Sequence, residues 1–452
     1  MLNIAQNSNW LLKQSDLNGD SIAVKTSQKQ ITFAELKNLV TAKTKELAPS
    51  ISEDDIVGII AEHSIQFVIN LFAVWNMGLP VVPINPKLKA NEIQEQIDFI
   101  GCKLLSASEF EARKEFETQN YVSDKYALIM FTSGSTAKPK AVVHTFGSLY
   151  SSAESIDKLF NFYSKETWLA SLPFYRIGGF QIIIRSLLSG GTLCIPPEIN
   201  SEEISNSISL YQPDYISVVN PTLEKLIETN KDDLQNSKAV FAGGGPVNSK
   251  LIKQSIEHGI PIYKVYGSTE TGSMVSILSP KDAVDKIESA GKPLPGVKIK
   301  IDNNEICVAA NSLFKEYFKN DDLTKEKIKN NWFYTGDEGC IDDEGFLFIR
   351  NRMDNLIISG GEKIDPKEIE NAILKIDKIT EAFVFGKPDK KWGEKVCAVV
   401  VSKTGLDISE IQKSLKQIIS AYKIPKEIKQ IKNIPVDEMG KLNITEVQNL
   451  FD

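Results

Sequence analysis

The sequence is poor in the residues that most often bind transition metals. Its 452 residues include only five cysteines and three histidines. The cysteines are scattered without a C-x-x-C pair, at Cys102, Cys194, Cys307, Cys340 and Cys397. This pattern predicts neither a zinc site nor a disulfide framework, and it suits a reducing cytosol.

The chain also lacks a basic field and a long uninterrupted apolar run. A net charge of -7 and a pI near 5.4 provide no general attraction for nucleic acid, so we expect small-molecule partners. The most apolar stretch, FVINLFAVWNMGLPVVPI at 67–84, is interrupted by asparagine, glycine and proline. We interpret it as a buried helix ending at Gly78 and a following strand, without stable membrane insertion. The N-terminal residues do not have the pattern of a secretory signal.

The phosphate-binding motif G-x-x-x-x-G-K-[ST] is absent as well, which disfavours a P-loop kinase or ATPase. Instead, FTSGSTAKPKAVVH at 131–144 follows an apolar strand pattern and is rich in hydroxyls and lysines. Such a loop exposes backbone N–H groups within a positive concavity, which favours phosphate binding. An ordinary solvated loop is the alternative for this stretch taken alone.

Helical patterns and short apolar strands alternate through the first 280 residues, which is typical of parallel sheets covered by helices. Glycine-rich breaks follow two predicted strands, at 243–245 and 267–270, where ligands of such sheets bind. From about residue 290 the pattern changes to short strands, with predicted hairpin turns at Asn303-Asn304 and at 343–345. Mixed helix and strand return after residue 353, over enough residues for a separate domain.

Five motifs occur in a fixed order along the chain. They are the loop at 132–140, YGSTE at 266–270, YTGD at 334–337, NRMD at 351–354 and PVDEMGK at 435–441. Each motif alone is weak, but together they resemble the adenylate-forming superfamily of acyl-CoA synthetases, peptide-synthetase adenylation domains and luciferases. The likeness runs from about residue 30 to the C-terminus.

The resemblance implies an α/β fold with two domains. Residues 1–352 would form a large N-terminal adenylation domain of two parallel, helix-covered sheets plus a small β-barrel-like region. Residues 353–452 would form a small, mobile α+β C-terminal domain that carries the catalytic lysine, with a hinge near Asp354.

The resemblance also assigns roles in binding ATP and Mg²⁺. Bringing a carboxylate to the α-phosphate while pyrophosphate leaves requires positive charge and N–H donors. The family's phosphate ligands match Thr132, Ser133, Gly134, Ser135, Thr136 and Lys140. Thr269 would contact the α-phosphate and Glu270 would hold Mg²⁺. The adenine and ribose ligands would be Gly243, Gly244, Gly245, Tyr266, Gly267, Asp337 and Arg352.

The C-terminal motifs match the family's groups for catalysis and for the thiol of coenzyme A. Lys441 matches the lysine that bridges the attacking carboxylate and the α-phosphate. Family members then rotate the C-terminal domain about a residue that matches Asp354, so that a second face lies beside the pantetheine tunnel. Gly360, Gly361 and Glu362 are the predicted coenzyme A contacts.

Within the superfamily the sequence is most similar to the o-succinylbenzoate-CoA ligases of menaquinone biosynthesis. This likeness depends on PKAVVHT at 139–145, LPFYRIGG at 172–179 with RSLL at 185–188, and SGGEKI at 359–364. Arg176 stands in an apolar stretch where an unpaired guanidinium is unfavourable, and the ring carboxylate of a dicarboxylate substrate would be its partner. The predicted substrate contacts are Arg176, Gly179, Gln181, Asn220, Thr222 and Ser268.

Other interpretations of the same residues stay open. The acid could be another aryl or medium-chain acid, or the acyl acceptor could be a carrier-protein thiol. A non-catalytic nucleotide- or acyl-binding relative is the alternative from another class, although such a protein has no use for Lys441. We expect a bacterial cytoplasmic enzyme, and a homodimer is compatible with the sequence.

Overall fold

The structure is a computed structural model, and it describes residues 2, 4–105, 118–132, 140–353, 357–359, 362–389, 392–402, 405, 407–436 and 442–451. The chain forms two compact units. Unit 1 comprises Met1–Ile299, Val308–Tyr334 and Gly345–Leu347. Unit 2 comprises Lys300–Cys307, Thr335–Glu344 and Phe348–Asp452. The predicted domain boundary after residue 352 stays a prediction.

The described helices, in chain order, are α1 (Trp10–Asn18), α2 (Phe33–Leu47), α3 (Ile65–Asn76), α4 (Ala90–Ile100), α5 (Phe146–Phe160), α6 (Ile177–Ser189), α7 (Ser201–Tyr211), α8 (Asn220–Thr229), α9 (Lys231–Leu234), α10 (Ser249–Glu257), α11 (Pro280–Lys286), α12 (Asp321–Lys327), α13 (Pro366–Ile373), α14 (Ile408–Ile418) and α15 (Ile444–Asn449). None of these helices combines the length and the apolar composition that are needed to cross a membrane.

The described strands are β1 (Ile22–Lys25), β2 (Gln30–Thr32), β3 (Val57–Ile60), β4 (Val81–Ile84), β5 (Lys103–Leu104), β6 (Tyr126–Thr132), β7 (Lys140–Thr145), β8 (Thr167–Leu169), β9 (Thr192–Cys194), β10 (Tyr215–Val218), β11 (Ala239–Ala242), β12 (Ile262–Ser268), β13 (Ser273–Leu278), β14 (Lys292–Pro293), β15 (Lys298–Asp302), β16 (Glu305–Ala309), β17 (Glu316–Tyr317), β18 (Ile328–Lys329), β19 (Trp332–Ile341), β20 (Leu347–Arg352), β21 (Ile357–Ser359), β22 (Glu362–Ile364), β23 (Ile379–Asp389), β24 (Gly393–Ser402) and β25 (Glu427–Ile431).

Unit 1 contains a nine-stranded sheet in the order β14-β13-β12-β11-β10-β8-β9-β1-β2. Its central strands pair in parallel from β12 through β11, β10, β8 and β9 to β1. The strands at both edges pair antiparallel, β13 and β14 at one edge and β2 at the other. The sheet is therefore parallel in its centre, as the alternating pattern predicts, and mixed overall.

A second sheet of unit 1 has the order β17-β7-β6-β4-β3-β5. Strands β5, β3, β4 and β6 are parallel, whereas β7 and β17 add antiparallel to that edge. The helix between β3 and β4 begins at the Ser64 cap and is buried along most of its length. Gly78 follows it with a φ of +75°, so the apolar stretch at 67–84 is a buried helix and strand as predicted.

The predicted small β region forms a sheet in the order β15-β16-β19-β18, with β20 beside β19. Asn303 and Asn304 connect β15 to β16 with φ values of 50° and 68°. Two consecutive residues with positive φ are characteristic of a tight hairpin turn, which confirms that prediction.

Unit 2 has a further sheet in the order β22-β21-β24-β23, with β25 parallel to β24. The apolar face of this sheet packs against α13 and α14 and forms a separate hydrophobic core. Ile369, Ile373 and Leu415 are fully buried in this core. The structure confirms the predicted α/β class, with one large unit and one smaller unit.

Candidate active site

The predicted phosphate loop begins and ends on two adjacent antiparallel strands. Thr132 at the end of β6 pairs with Lys140 at the start of β7, and its hydroxyl lies 3.4 Å from the Lys140 carbonyl oxygen. The hairpin therefore holds the first and last residues of the loop side by side. Ser133, Gly134, Ser135 and Thr136 lie outside the described residues.

The predicted adenine segment follows β11 directly. A Cβ on Gly243 would stand 2.6 Å from Val265 Cγ2, so the Val265 side chain on β12 leaves little room for a larger residue there. Gly244 has a φ of +88°, a conformation that also favours glycine. Gly245 is exposed, and a Cβ on it would meet no atom of the described residues within 4 Å. Packing against the described residues therefore does not require glycine at position 245.

The turn that carries Thr269 and Glu270 is fixed by close packing. A Cβ on Gly267 would lie 1.8 Å from the Ser273 carbonyl oxygen, where the register between β12 and β13 shifts. The buried Thr271 hydroxyl accepts a hydrogen bond from the Ser268 N–H at 2.8 Å and lies 2.6 Å from the Ser273 carbonyl oxygen. These contacts present Thr269 and Glu270 at the carboxyl end of β12.

His144 holds the backbone of this turn. Its ring is fully buried, and Nε2 lies 2.7 Å from the Thr269 carbonyl oxygen while Nδ1 lies 3.0 Å from Ser148 Oγ. A carbonyl oxygen accepts only, so Nε2 carries the proton. Burial lowers the pKa of His144 to about 4. A neutral ring with both nitrogens engaged agrees with a structural role for this histidine.

The Glu270 carboxylate fits a magnesium ligand. It is partly buried, and Oε1 accepts a hydrogen bond from the Tyr317 hydroxyl at 3.0 Å. Across the described ranges, no three acidic, histidine or cysteine side chains cluster to hold a metal ion. A single carboxylate suits Mg²⁺, since this ion takes its other ligands from substrate phosphates and water.

Arg176 and Gly179 lie at the start of α6. Arg176 is the N-cap residue of the helix and is partly buried, and its guanidinium lies 5.8 Å from the Tyr175 ring. A Cβ on Gly179 would lie 2.2 Å from the Pro173 carbonyl oxygen, so this residue permits the helix to pack on the preceding turn. The substrate roles of both residues stay predictions.

The other predicted substrate contacts have different environments. Gln181 is fully buried, and its Nε2 lies 3.4 Å from the Leu149 carbonyl oxygen. Asn220 connects α8 to the segment after the glycines, because its Nδ2 donates to the Pro246 carbonyl oxygen at 2.7 Å. Thr222 is partly buried in α8. Ser268 Oγ is buried and has no hydrogen-bond partner in the described part of the chain.

Arg185 on α6 is not among the residues predicted from the sequence, and it is only 1 % exposed in the structure. None of its three guanidinium nitrogens has a hydrogen-bond partner among the described residues. Burial lowers the pKa of Arg185 to about 9, so the group stays cationic at pH 7. Gln181, one helical turn earlier, has a buried Oε1 that also lacks a partner in the described chain. The only sequence signal was a charged residue in an otherwise apolar helix.

The predicted ribose ligands form an ion pair within unit 2. Arg352 Nη1 lies 3.2 Å from Asp337 Oδ1. The Asp337 N–H donates to Thr335 Oγ1 at 3.0 Å, and the Thr335 hydroxyl donates to the Ile306 carbonyl oxygen at 2.8 Å. Gly336 provides the intervening turn with a φ of +78°. These contacts hold the Asp337 carboxylate at a defined position on β19.

Several predicted site residues lie outside the described residues. They are Lys441, Asp354, Gly360 and Gly361. Glu362 begins β22, which pairs antiparallel with β21. The roles of these residues in catalysis, domain rotation and coenzyme A binding stay predictions.

Comparison with known proteins assigns the family. The AMP-binding enzyme family matches residues 11–318. The chain belongs to this family. The AMP-binding enzyme C-terminal domain matches residues 368–441, so the family likeness includes the first and the last of the five motifs.

Two curated family members from different bacteria are similar to this chain over nearly its full length. The 2-succinylbenzoate–CoA ligase of Bacillus subtilis (strain 168) is 31% identical over 471 residues, covering 97% of this chain and 97% of the relative. The 2-succinylbenzoate–CoA ligase of Listeria monocytogenes serotype 4b (strain F2365) is 31% identical over 457 residues, covering 96% of this chain and 97% of the relative.

Solved structures of family members are similar over the same length. The o-succinylbenzoate CoA synthetase from Bacillus subtilis, in complex with the acyl-adenylate intermediate OSB-AMP, has a TM-score of 0.88 and 30% identity and covers 98% of both chains. The same enzyme in complex with ATP and magnesium ion has a TM-score of 0.85 and 29% identity, covering 96% of this chain and 98% of that one.

Proposed function

We propose that the protein is an ATP-dependent 2-succinylbenzoate–CoA ligase of menaquinone biosynthesis. It activates the succinyl carboxylate as an acyl-adenylate with release of pyrophosphate, and then transfers the acyl group to the thiol of coenzyme A with release of AMP. The observation that carries this proposal is the 31% identity to curated ligases of this name over 97% of the chain.

The first half-reaction brings two anions together, which defines what the protein must supply. Lys140 and the hydroxyls and N–H groups of the 132–136 loop would bind the β- and γ-phosphates. Thr269 would contact the α-phosphate. Mg²⁺, when bound, offsets negative charge on the phosphates, and Glu270 would hold it. Asp337 would accept the ribose hydroxyls beside Arg352, and the glycines at 243–245 with Tyr266 would border the adenine.

Different residues of the C-terminal domain would act in the two half-reactions. Lys441 would bridge the attacking carboxylate and the α-phosphate, and its domain, residues 353–452, would rotate about Asp354 after adenylation. Gly360, Gly361 and Glu362 would then border the thiol arm of coenzyme A. These roles follow from the family resemblance of the motifs.

Two arginines are candidates for binding a second carboxylate of the substrate. 2-Succinylbenzoate keeps its ring carboxylate when the succinyl carboxylate is activated. Arg176 at the start of α6 is the residue that the sequence favours for this group. Arg185 is the alternative, since its buried guanidinium has no hydrogen-bond partner in the described chain and a carboxylate would satisfy it.

We place the enzyme in the bacterial cytoplasm, with ATP, 2-succinylbenzoate and coenzyme A as its small-molecule partners. A homodimer stays a prediction, and light scattering of the purified protein tests it.

The proposal is tested by AMP release from ATP and Mg²⁺ in the presence and absence of coenzyme A. We expect turnover with 2-succinylbenzoate and much lower rates with benzoate or a medium-chain fatty acid. Lys441→Ala should lower the adenylation rate by about 10²-fold to 10³-fold, since it removes a preorganised cation. The rate of 2-succinylbenzoate turnover is also measured in Arg176→Ala and Arg185→Met. The variant with the larger loss of turnover identifies the arginine that binds the ring carboxylate.

Three contrary outcomes have different meanings. Preferred turnover of another acid would refute the assigned substrate and leave adenylation intact. Acyl transfer to a carrier-protein thiol, with none to coenzyme A, would refute the acceptor. Nucleotide binding with no AMP from any acid would favour a non-catalytic relative.

A further inference from the structure

Three elements of unit 1 converge on Tyr317. Strand β17 pairs antiparallel with β7, with Tyr317 opposite Val142, two residues along β7 from Lys140. The Tyr317 ring lies 5.9 Å from Lys140 Nζ, and its hydroxyl donates to Glu270 Oε1 at 3.0 Å. One phenol side chain therefore contacts both the last lysine of the phosphate loop and the carboxylate that fits Mg²⁺.

The ring of Tyr317 is held rigidly. Its exposure is 3 %, and its ring centroid lies 4.7 Å from that of Phe314 in a cluster with Val142 and Phe333. The Tyr317 N–H donates to Thr324 Oγ1 at 3.0 Å. A buried ring with a fixed backbone keeps the hydroxyl at one position, unlike a hydroxyl on an exposed side chain.

The same segment also fixes the Glu270 backbone. The Phe314 N–H donates to the Glu270 carbonyl oxygen at 2.8 Å. Glu270 is thus held twice by residues 314–317, once at its main chain and once at its carboxylate. A hydrogen bond from a phenolic O–H to a carboxylate oxygen restricts the rotation of the carboxylate.

We propose that Tyr317 is a positioning residue that orients the Glu270 carboxylate for the metal ion of metal–ATP. The inference rests on the proposed function only in its first part, the binding of ATP with a metal ion. Partners of metal-binding carboxylates fix the orientation of the ligand, and their removal weakens metal binding. None of the five sequence motifs includes this tyrosine.

Tyr317→Phe removes a single oxygen atom and keeps the packed ring. We expect the variant to bind Mn²⁺, used as a probe for Mg²⁺, about 10-fold to 100-fold more weakly in the protein–ATP complex. Mn²⁺ titration followed by electron paramagnetic resonance measures this affinity. Metal-free ATP binding in EDTA should stay within about 2-fold of wild type, since the proposed hydrogen bond acts through the metal ligand.

Tyr126→Phe is the matched control. Tyr126 donates to Glu316 Oε1 at 2.7 Å, so the variant deletes the same atom from a Tyr–Glu pair that adjoins Tyr317 in the chain. We expect its Mn²⁺ affinity to equal that of wild type. Equal Mn²⁺ affinities in Tyr317→Phe and wild type would overturn the proposal, as would an equal loss in both tyrosine variants.

A double-mutant cycle gives an independent test. In a Glu270→Gln background, Tyr317→Phe should add less than about 2-fold to the loss of Mn²⁺ affinity, because the two residues act as one unit. If the fold-losses of Mn²⁺ affinity from the two single substitutions multiply in the double variant, the proposal is overturned. These titrations need neither acid nor coenzyme A, so an inactive wild type that binds Mn²⁺ and ATP would refute the proposed function and leave this inference standing.

Discussion

Two histidines in unit 1 are held neutral by their surroundings. His63 is partly buried, its Nε2 lies 2.9 Å from the Ala170 carbonyl oxygen, and its ring centroid lies 3.9 Å from that of Phe174. Desolvation lowers the pKa of His63 to about 4, as it does for the fully buried His144. Both rings therefore act as fixed hydrogen-bonding groups, and neither is suited to accept a proton near pH 7.

These histidines should make the folded state sensitive to acid. In the unfolded chain they take up protons near their usual pKa of about 6.5, whereas the folded chain resists protonation until about pH 4. The unfolded state binds more protons in this interval, so stability falls as the pH falls through it. Each histidine should contribute up to about 1.4 kcal/mol per pH unit. Urea unfolding followed by tryptophan fluorescence measures the slope.

His144→Gln should reduce this pH dependence, because the amide can still donate to the Thr269 carbonyl oxygen but does not titrate. His258→Gln, which removes an exposed ring, controls for loss of a histidine as such. An unchanged slope in His144→Gln would show that His144 is not responsible.

At the scale of elements, the β12–β13 connection decides the position of the turn that carries Thr269 and Glu270. Gly267 allows the two strands to approach, and Thr271 connects their ends. Ser273 has a φ of 105°, which is unfavourable for a residue with a side chain. The turn is therefore a tightly constrained segment.

Gly267→Ala should destabilise unit 1 by about 3 kcal/mol or more, because the added methyl group would overlap the Ser273 carbonyl oxygen, which also accepts a hydrogen bond from the Thr271 hydroxyl. Thermal unfolding measures the loss. Gly245→Ala is the matched change at a site with free space, and we expect it to keep the melting temperature while raising the KM for ATP. Equal stability of both variants would contradict this account of the turn.

The elements also differ in how well their sequence predicts them. Helix α2 begins at a Thr32–Glu35 capping box, and the Asn303-Asn304 turn has its own local chemistry, so both were predictable from neighbouring residues. The sequence assigned no role to Tyr317 or Arg185. Tyr317 contacts Glu270, which is distant in sequence, and Arg185 is buried by the fold without a partner among the described residues. Neither environment can be inferred from neighbouring residues.

For the whole molecule, the predicted hinge at Asp354 would separate the two half-reactions. Asp354→Pro would fix φ near about −65° and so restrict rotation at this position. We expect ATP–pyrophosphate exchange to stay near wild type while acyl transfer to coenzyme A falls by more than about 10-fold, since only the second step needs the rotated domain. Measuring both reactions on one preparation distinguishes the steps.

Asp354→Ala is the control, because it removes the carboxylate and keeps the backbone free. This variant should retain most of the wild-type rate of acyl transfer to coenzyme A. If Asp354→Pro slows both half-reactions equally, the residue is not the hinge between them.

The sequence by itself determined the order of helices and strands, the five motifs and the family, because these depend on local periodicity, turn residues and short ligand-binding segments. It also indicated the residue types that an acid-activating site needs. The tertiary structure alone decided which groups meet: the Tyr317 hydroxyl with Glu270, the His144 ring with the Thr269 carbonyl oxygen, and a buried Arg185 without a described partner. These pairings arise from strand register and burial between distant segments, which local sequence does not encode.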